Sequence, residues 1–205
     1  MTKDPPRKTI YRLSTYQRCL ARLLANNVDT VSSEALAKAA GVKPTQLRKD
    51  LAYFGQFGTR GLGYNVSMLS AFLNEALGTS RLQPVILIGV GNLGAALLRY
   101  GGFQKEGFEI AAAFDLDPDS ANARNVPFPI RSAREMPAFV REHHVKMAIL
   151  AIPAISAQNV VNEAVDAGIQ AILNFSPTVL QVPGHVIVNS VDLAVELENL
   201  SYFIR

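Results

Sequence analysis

The stretch Val85-Ile86-Leu87-Ile88-Gly89-Val90-Gly91-Asn92-Leu93-Gly94, continued by Ala95-Ala96-Leu97-Leu98, decides the fold of this 205-residue chain. Four consecutive apolar residues suit a strand buried on both faces of a parallel sheet. They run into G-x-G-x-x-G, and an apolar helix pattern follows. Alone, that glycine spacing is weak; between a strand and a helix it marks a dinucleotide-binding turn. Gly89 permits the turn, Gly91 lets a pyrophosphate approach the backbone, and Gly94 allows the helix to pack closely on the strand. The helix N-terminus stabilises the anion. Gly89, Val90, Gly91, Asn92, Leu93 and Gly94 are therefore the candidate cofactor-binding residues.

Downstream, residues 110–114 read as the next strand, ending at Asp115, 21 residues after Gly94. An acid at that distance meets the hydroxyls of an adenosine ribose. Leu116 and Asp117 follow, with no adjacent arginine to take a 2′-phosphate, which favours NAD(H) over NADP(H). The alternation continues. Residues 126–130 are a strand candidate, and Ser132 with Glu135 form a capping box for a helix through His143. Residues 147–152 form a strand, 156–167 a helix stopped by Gly168, and 171–175 and 186–188 two more strands. Regular β-α alternation predicts a parallel sheet with helices on both faces, over residues 84–190. Residues 192–203 close the chain as a helix with Leu193, Leu197 and Leu200 on one side. A terminal amphipathic helix such as residues 191–205 most often packs on its own domain, but it is also a candidate dimer contact.

Upstream, Gly78-Thr79-Ser80-Arg81-Leu82-Gln83-Pro84 reads as a linker, and residues 1–80 form a separate, helical domain. Ile10, Leu13, Tyr16, Leu20, Leu23 and Leu24 recur at helical spacing, with Thr9 as the candidate N-cap. Ser32-Ser33-Glu34 opens a second helix with a capping hydroxyl and an acid in the first turn; it ends at Gly41. Pro44, favoured at a first helical position, opens a third helix running to about Phe54. Two short helices joined by a tight glycine turn are a helix-turn-helix signature. Leu47, Leu51 and Phe54 would pack inward. Gln46, Lys49, Asp50 and Tyr53 share another face, with Arg48 at its flank. Such a face suits a recognition helix, with Asp50 orienting a neighbour rather than meeting phosphate. The glycine-rich run 55–64 then reads as a two-stranded wing with Arg60 at its tip, and 66–77 as a closing helix. The candidate DNA-binding residues are Gln46, Arg48, Lys49, Tyr53 and Arg60.

Charge divides at the same place. Residues 1–83 hold twelve Lys and Arg against five Asp and Glu, net +7; residues 84–205 hold eight against twelve, net −4. A basic half suits a polyanion partner. With 49% hydrophobic and 18% charged residues the chain is expected to fold rather than be disordered. No run of 18 apolar residues suggests a membrane span, and the N-terminus lacks the apolar core of a secretory signal. A cytoplasmic protein is the expectation. Cys19, the single cysteine, reads as core, and no cysteine cluster suggests a metal.

The residues of the second half do not read as an enzyme. His143, His144 and His185 each precede a strand, the wrong edge of the sheet for chemistry, and no Tyr-x-x-x-Lys pair is present. Tyr100, at the end of the helix that starts under the glycine loop, joins the candidate cofactor set. A small NAD-dependent oxidoreductase and a CoA-binding regulatory module are the alternatives to a sensor.

The run Pro44-Thr45-Gln46-Leu47-Arg48-Lys49-Asp50-Leu51-Ala52-Tyr53-Phe54-Gly55, then Gly58-Thr59-Arg60-Gly61-Leu62-Gly63-Tyr64, closely resembles the redox-sensing transcriptional repressors of the Rex family. So do Gly89 to Gly94, Tyr100-Gly101-Gly102-Phe103, Phe114-Asp115-Leu116-Asp117-Pro118, Ile172-Leu173-Asn174-Phe175-Ser176-Pro177 and Val191-Asp192-Leu193. The resemblance covers almost the whole chain. It implies a winged-helix domain and a Rossmann domain in each subunit of a homodimer, with the terminal helix exchanged between subunits. It implies a double-stranded, AT-rich operator with inverted-repeat half-sites, released by NADH, with NAD+ the weaker competitor. The genes controlled would serve fermentation, respiration or NADH reoxidation. It further implies that Arg18, Tyr100 and Asp192 form the allosteric switch: Arg18 pairs with Asp192 of the other subunit on DNA, and Tyr100 bonds that Asp when NADH is bound. Leu193 is aliphatic where some relatives carry an aromatic near the nicotinamide.

Overall fold

The computed structural model describes residues 5–59, 61–120, 123 and 125–204. The chain divides into two compact units, Met1–Arg81 and Leu82–Arg205.

In the first unit, α1 spans Arg7–Ala25, β1 Thr30–Val31, α2 Ser33–Ala39 and α3 Pro44–Ala52. The strands β2 (Gly58–Thr59) and β3 (Gly63–Asn65) then lead into α4 (Val66–Ala76). Local signals fix most of these boundaries. Ser32 Oγ accepts the Ala35 N–H at 3.0 Å, a cap worth about 1 kcal/mol. Gly41 takes φ +68° and donates to the Lys38 carbonyl, which turns the chain into α3 with Pro44 in its first turn. The wing is an antiparallel sheet in the order β1-β3-β2. Its edge strand β1 has no sequence signal, because two residues carry no period. At Gly63 (φ +82°) an added Cβ would collide with the Val31 carbonyl, so the wing can close on β1 only with glycine there. Leu13, Tyr16 and Leu20 of α1, Leu36 of α2, Leu47 and Leu51 of α3, and Leu69 and Leu73 of α4 form the core.

Two expectations are corrected in this unit. Thr9 is not a cap: the helix starts at Arg7 after Pro6, and Thr9 is buried. Asp50 does not share the outward face of Gln46, Lys49 and Tyr53; it is wholly buried. Its carboxylate accepts from Arg12 Nε and Nη2 (both 2.6 Å), Tyr16 Oη (2.8 Å), Gln46 Nε2 (2.8 Å) and Thr9 Oγ1 (3.3 Å). Spacing alone placed Asp50 outward. The donors that draw it inward sit on α1, 34 to 41 residues away in sequence. Burial alone pushes this carboxyl up, but the bonds from Arg12, Tyr16 and Gln46 outweigh it and hold it below the ordinary range. Burial, then the Asp50 bond, push the Tyr16 phenol well above its usual value, so it remains a donor.

In the second unit the strands are β4 (Gln83–Ile88), β5 (Phe108–Asp115), β6 (Ile130–Ser132), β7 (Met147–Leu150), β8 (Ala171–Asn174) and β9 (Ile187–Ser190). The helices are α5 (Asn92–Arg99), α6 (Gly102–Lys105), α7 (Met136–Glu142), α8 (Ala154–Ala167) and α9 (Leu193–Phe203). All pairings are parallel, in the order β6-β5-β4-β7-β8-β9. The chain winds outward from β4, returns, and winds out the other way, so the order reverses between β4 and β7. This is the doubly wound Rossmann arrangement.

One sheet face (Ile86, Ile88, Ala112, Phe114, Leu150) packs under Phe139 and Val140 of α7 and Ala157 and Val161 of α8. The other (Val85, Leu87, Ala113, Ile149) packs with Ala95 of α5. The expected strand at 126–130 is corrected: pairing starts only at Ile130. Pro127 and Pro129 lack N–H donors and cannot join the ladder. No helix joins β8 to β9, and an apolar groove of about 280 Å³, lined by Phe103, Phe108, Ile110, Met147, Leu173 and Ile187, remains on that face. Asp192 caps α9, its Oδ1 accepting from the Ala194 and Val195 N–H groups. Leu193, Leu197, Leu200 and Phe203 of α9 are all exposed.

Removing Asp50 would leave Arg12 and Tyr16 without their acceptor. Asp50→Ala is expected to cost about 3 kcal/mol, read as a lower urea midpoint by circular dichroism, with hydrogen-exchange protection lost in α1 and α3. Because the folded carboxyl titrates below its unfolded value of about 3.9, its contribution is complete above that pH and lost as pH falls through the folded value. The wild type should therefore lose stability more steeply than the variant in acid; parallel acid profiles would contradict the role.

Candidate cofactor and DNA-binding sites

The glycine loop leaves β4 at the sheet's reversal point. Gly89 has φ +97°, and a Cβ on it would strike the Ala151 carbonyl after β7. A Cβ on Gly94 would strike the Gly89 carbonyl, so α5 crosses the loop at the distance only a glycine allows. Gly91 differs: its φ is −68° and no atom lies within 4 Å of its would-be Cβ. Gly91 is the cap residue of α5, whose first-turn N–H groups lack intrahelical partners. Asp115, at the end of β5, reaches back to the loop, its Oδ2 accepting the Val90 N–H at 2.6 Å. Its Oδ1 accepts the Asp117 N–H at 2.9 Å. The glycine loop and Asp115, 21 to 26 residues apart in sequence, thus share one small site.

A cavity of about 210 Å³ opens there, lined among others by Gly89, Gly91, Asp115, Leu116, Ile152 and Pro153. It is smaller than a whole-ligand pocket and suits the adenosine end of a dinucleotide. The described residues lining it include no Lys or Arg, which fits ribose hydroxyls at Asp115 rather than a 2′-phosphate. The glycine cradle and the carboxylate together fit NAD(H).

The far wall of this cleft rests on residues whose role the sequence did not disclose. Ser176 Oγ donates to the Ile152 carbonyl at 2.7 Å. Asn174 Oδ1 accepts the Ser176 N–H at 2.9 Å, while its Nδ2 donates to the Thr178 carbonyl and Ser190 Oγ. Both side chains are buried. Their signal was two polar residues ending an apolar strand run. Tyr100 stands at the other end of α5 from the loop, 59% exposed, its ring edge-on to Phe103 with centroids 5.1 Å apart. A Cβ on Gly102 would occupy the place of that ring.

In the first unit, Arg48 and Lys49 of α3 are exposed, as is Tyr53 just after it. Gln46 is half-buried and bonded to Asp50. Arg48 leans toward α2, donating to Ser33 Oγ at 2.8 Å and pairing with Glu34 at 3.5 Å. A cavity of about 530 Å³ lies between these residues and the wing, lined also by Gly58, Thr59 and Tyr64. Arg60 lies outside the described residues. Arg18 belongs to the first unit, whereas Tyr100 and Asp192 belong to the second.

His143 ends α7 and stacks on Phe139 with centroids 4.1 Å apart. It therefore sits at the edge of the sheet opposite the glycine loop. Among the described residues no cluster of His, Cys, Asp or Glu could hold a metal ion, and no helix is long and apolar enough to cross a membrane.

Comparison with known proteins covers both units. Residues 6–52 match a family described as putative DNA-binding protein N-terminus, and residues 80–178 match a CoA binding domain. A redox-sensing transcriptional repressor Rex of Pelotomaculum thermopropionicum is 46% identical over 197 residues, covering 96% of this chain and 92% of the relative. The Rex of Streptomyces coelicolor is 45% identical, covering 96% of this chain and 76% of its own. Two solved structures are similar throughout. RSP in complex with β-NAD+ and operator DNA has a TM-score of 0.89 at 37% identity, covering 98% of this chain and 93% of that one. RSP in complex with β-NADH has a TM-score of 0.84 at 36% identity, covering 98% and 95%. With a basic helix-turn-helix unit, a nucleotide-binding sheet and near-full-length relatives of this kind, the chain belongs to the Rex family of redox-sensing transcriptional repressors.

Proposed function

We infer that this chain is a redox-sensing transcriptional repressor that binds operator DNA as a homodimer and releases it when NADH binds. One observation carries the reading: a DNA reader and an NAD(H) cradle are built on the same chain, and RSP has been solved with β-NAD+ and operator DNA and with β-NADH.

Each chain carries one α3, so each subunit reads one half-site. A two-fold dimer then matches an inverted repeat with recognition helices spaced about 34 Å, one DNA turn. Gln46, Arg48, Lys49 and Tyr53, with Arg60 of the wing, are the residues assigned to DNA. Gly89, Val90, Gly91, Asn92, Leu93 and Gly94 are assigned to the pyrophosphate, Asp115 to the ribose, and Tyr100 to the nicotinamide side. When bound, the reduced nicotinamide supplies the redox signal, and NAD+ competes more weakly. The relatives are named repressors, and we assign no catalytic turnover to the site. A cytoplasmic location accords with DNA binding.

The cofactor can control DNA binding only through a difference in its affinity for two dimer shapes. We assign the dimer contact to residues 191–205, exchanged between subunits. The exposed Leu193, Leu197, Leu200 and Phe203 of α9 support this assignment, because such a surface is costly to leave in water. Asp192 Oδ1 holds the cap of α9, so Oδ2 is the atom that would take Arg18 of the other subunit on DNA, or Tyr100 when NADH is bound.

Three outcomes are expected. In gel-shift titrations, operator affinity falls as the NADH/NAD+ ratio rises; affinity unchanged between none and saturating NADH would refute the switch. Lys49→Ala weakens operator binding at unchanged NADH affinity, whereas Asp115→Ala weakens NADH in calorimetry; equal losses of both by either variant would contradict separate sites. Gly91→Ala keeps the thermal midpoint but loses at least tenfold in NADH affinity, whereas Gly89→Ala lowers the midpoint itself. Equilibrium dialysis against CoA alongside NADH checks the ligand class, since the matching domain model is described as CoA binding.

A further inference from the structure

We propose that Gln46 reads an adenine in each operator half-site, and that Asp50 fixes the direction in which its amide faces. The proposal rests on the reading that α3 enters the major groove.

An amide side chain has two faces with opposite hydrogen-bonding character, and only its partners decide which way it turns. Here the decision is forced. Asp50 is buried and ionised, its charge held by Arg12 through two bonds of 2.6 Å. A carboxylate only accepts. Its other partners, Tyr16 Oη and Thr9 Oγ1, are both donors. Gln46 must therefore turn its NH2 group to Asp50, as it does at 2.8 Å. Because the amide is planar, Oε1 lies on the opposite branch, and Nε2 keeps one further N–H.

Gln46 is the third residue of α3, in the N-terminal turn that meets base edges in helix-turn-helix proteins. An acceptor beside a donor matches the major-groove edge of adenine, whose N6 amino donates and whose N7 accepts. Cytosine satisfies only the oxygen. Guanine presents acceptors alone, which would leave Oε1 facing O6 or N7 unpaired. Without Asp50 the amide could turn and donate to guanine. Asp50, Arg12 and Tyr16 are thus positioning residues for specificity, although none need touch DNA. Gln46 is also held by this bond before DNA arrives, so less side-chain freedom is lost on binding.

The test uses the full-length repressor and operator duplexes in which one symmetric pair of adenines at a time is replaced by 7-deazaadenine or by purine lacking the 6-amino group. For the wild type, one pair is expected to cost about tenfold in affinity, within the range for a two-bond base contact. In Gln46→Ala that sensitivity disappears at that pair alone, while the rest of the profile stays. In Asp50→Asn, the penalty for a further duplex carrying guanine in place of adenine at the same pair shrinks relative to the wild type; a merely structural role would weaken every duplex alike. Gln46 is half-buried and easily truncated, so its variant decides the matter should Asp50→Asn fail to fold. An unchanged profile in Gln46→Ala, or a uniform loss over all duplexes, overturns the proposal but leaves the groove reading standing. If no major-groove modification affects the wild type at any position, the groove reading falls and the proposal with it.

Discussion

The buried carboxylate of Asp50 is the joint on which the DNA-reading unit depends. It accepts five hydrogen bonds, four from α1 and one from its own helix. A buried charge is costly unless every lone pair finds a donor, and one missing partner turns such a joint into a liability. Here all are found, and the bonds are directional. They fix α1 and α3 against each other more sharply than the apolar contacts of Leu13, Leu20, Leu47 and Leu51 could alone. Asp50, set among the exposed Arg48, Lys49 and Tyr53, is thus a structural residue, and it sets the frame for those on either side.

Much of the fold was legible because the chain states its boundaries in local chemistry. Ser32, Gly41 and Pro44 delimit the two helices of the reader, and Gly168 stops α8 at φ +122°. The apolar run 85–88 and its glycines place the first Rossmann strand. What escaped lies where pairing is decided by distant partners. β1 has two residues and exists because Tyr64 and Asn65 of β3 lie beside it. Thr9 looked like a cap by local pattern, yet its hydroxyl serves a carboxylate 41 residues away.

The elements of the candidate cofactor site were legible in the same way. Its glycines and Asp115 carry a spacing that chemistry imposes, and the structure brings them together through the Val90 N–H. Asn174 and Ser176 were not assigned a role, because buttressing residues need no particular spacing from the ligand. Gln46, Arg48, Lys49 and Tyr53 were readable as one group, but the sequence alone could not show that Gln46 and Arg48 are already bonded within the unit while Lys49 is exposed.

The prolines that shorten β6 have an effect beyond strand register. A sheet that ends in a long, straight strand offers its free N–H and C=O groups to any neighbouring chain, and such edges promote aggregation. Here the outermost strand pairs over three residues only, and Pro127 and Pro129 before it have no N–H to offer. That flank of the sheet is therefore a poor template for growth. The exposed Leu193, Leu197, Leu200 and Phe203 lie instead on a helix, α9, where packing depends on side-chain shape rather than on a backbone ladder that any extended segment could join. Growth by backbone pairing from that flank is thereby disfavoured.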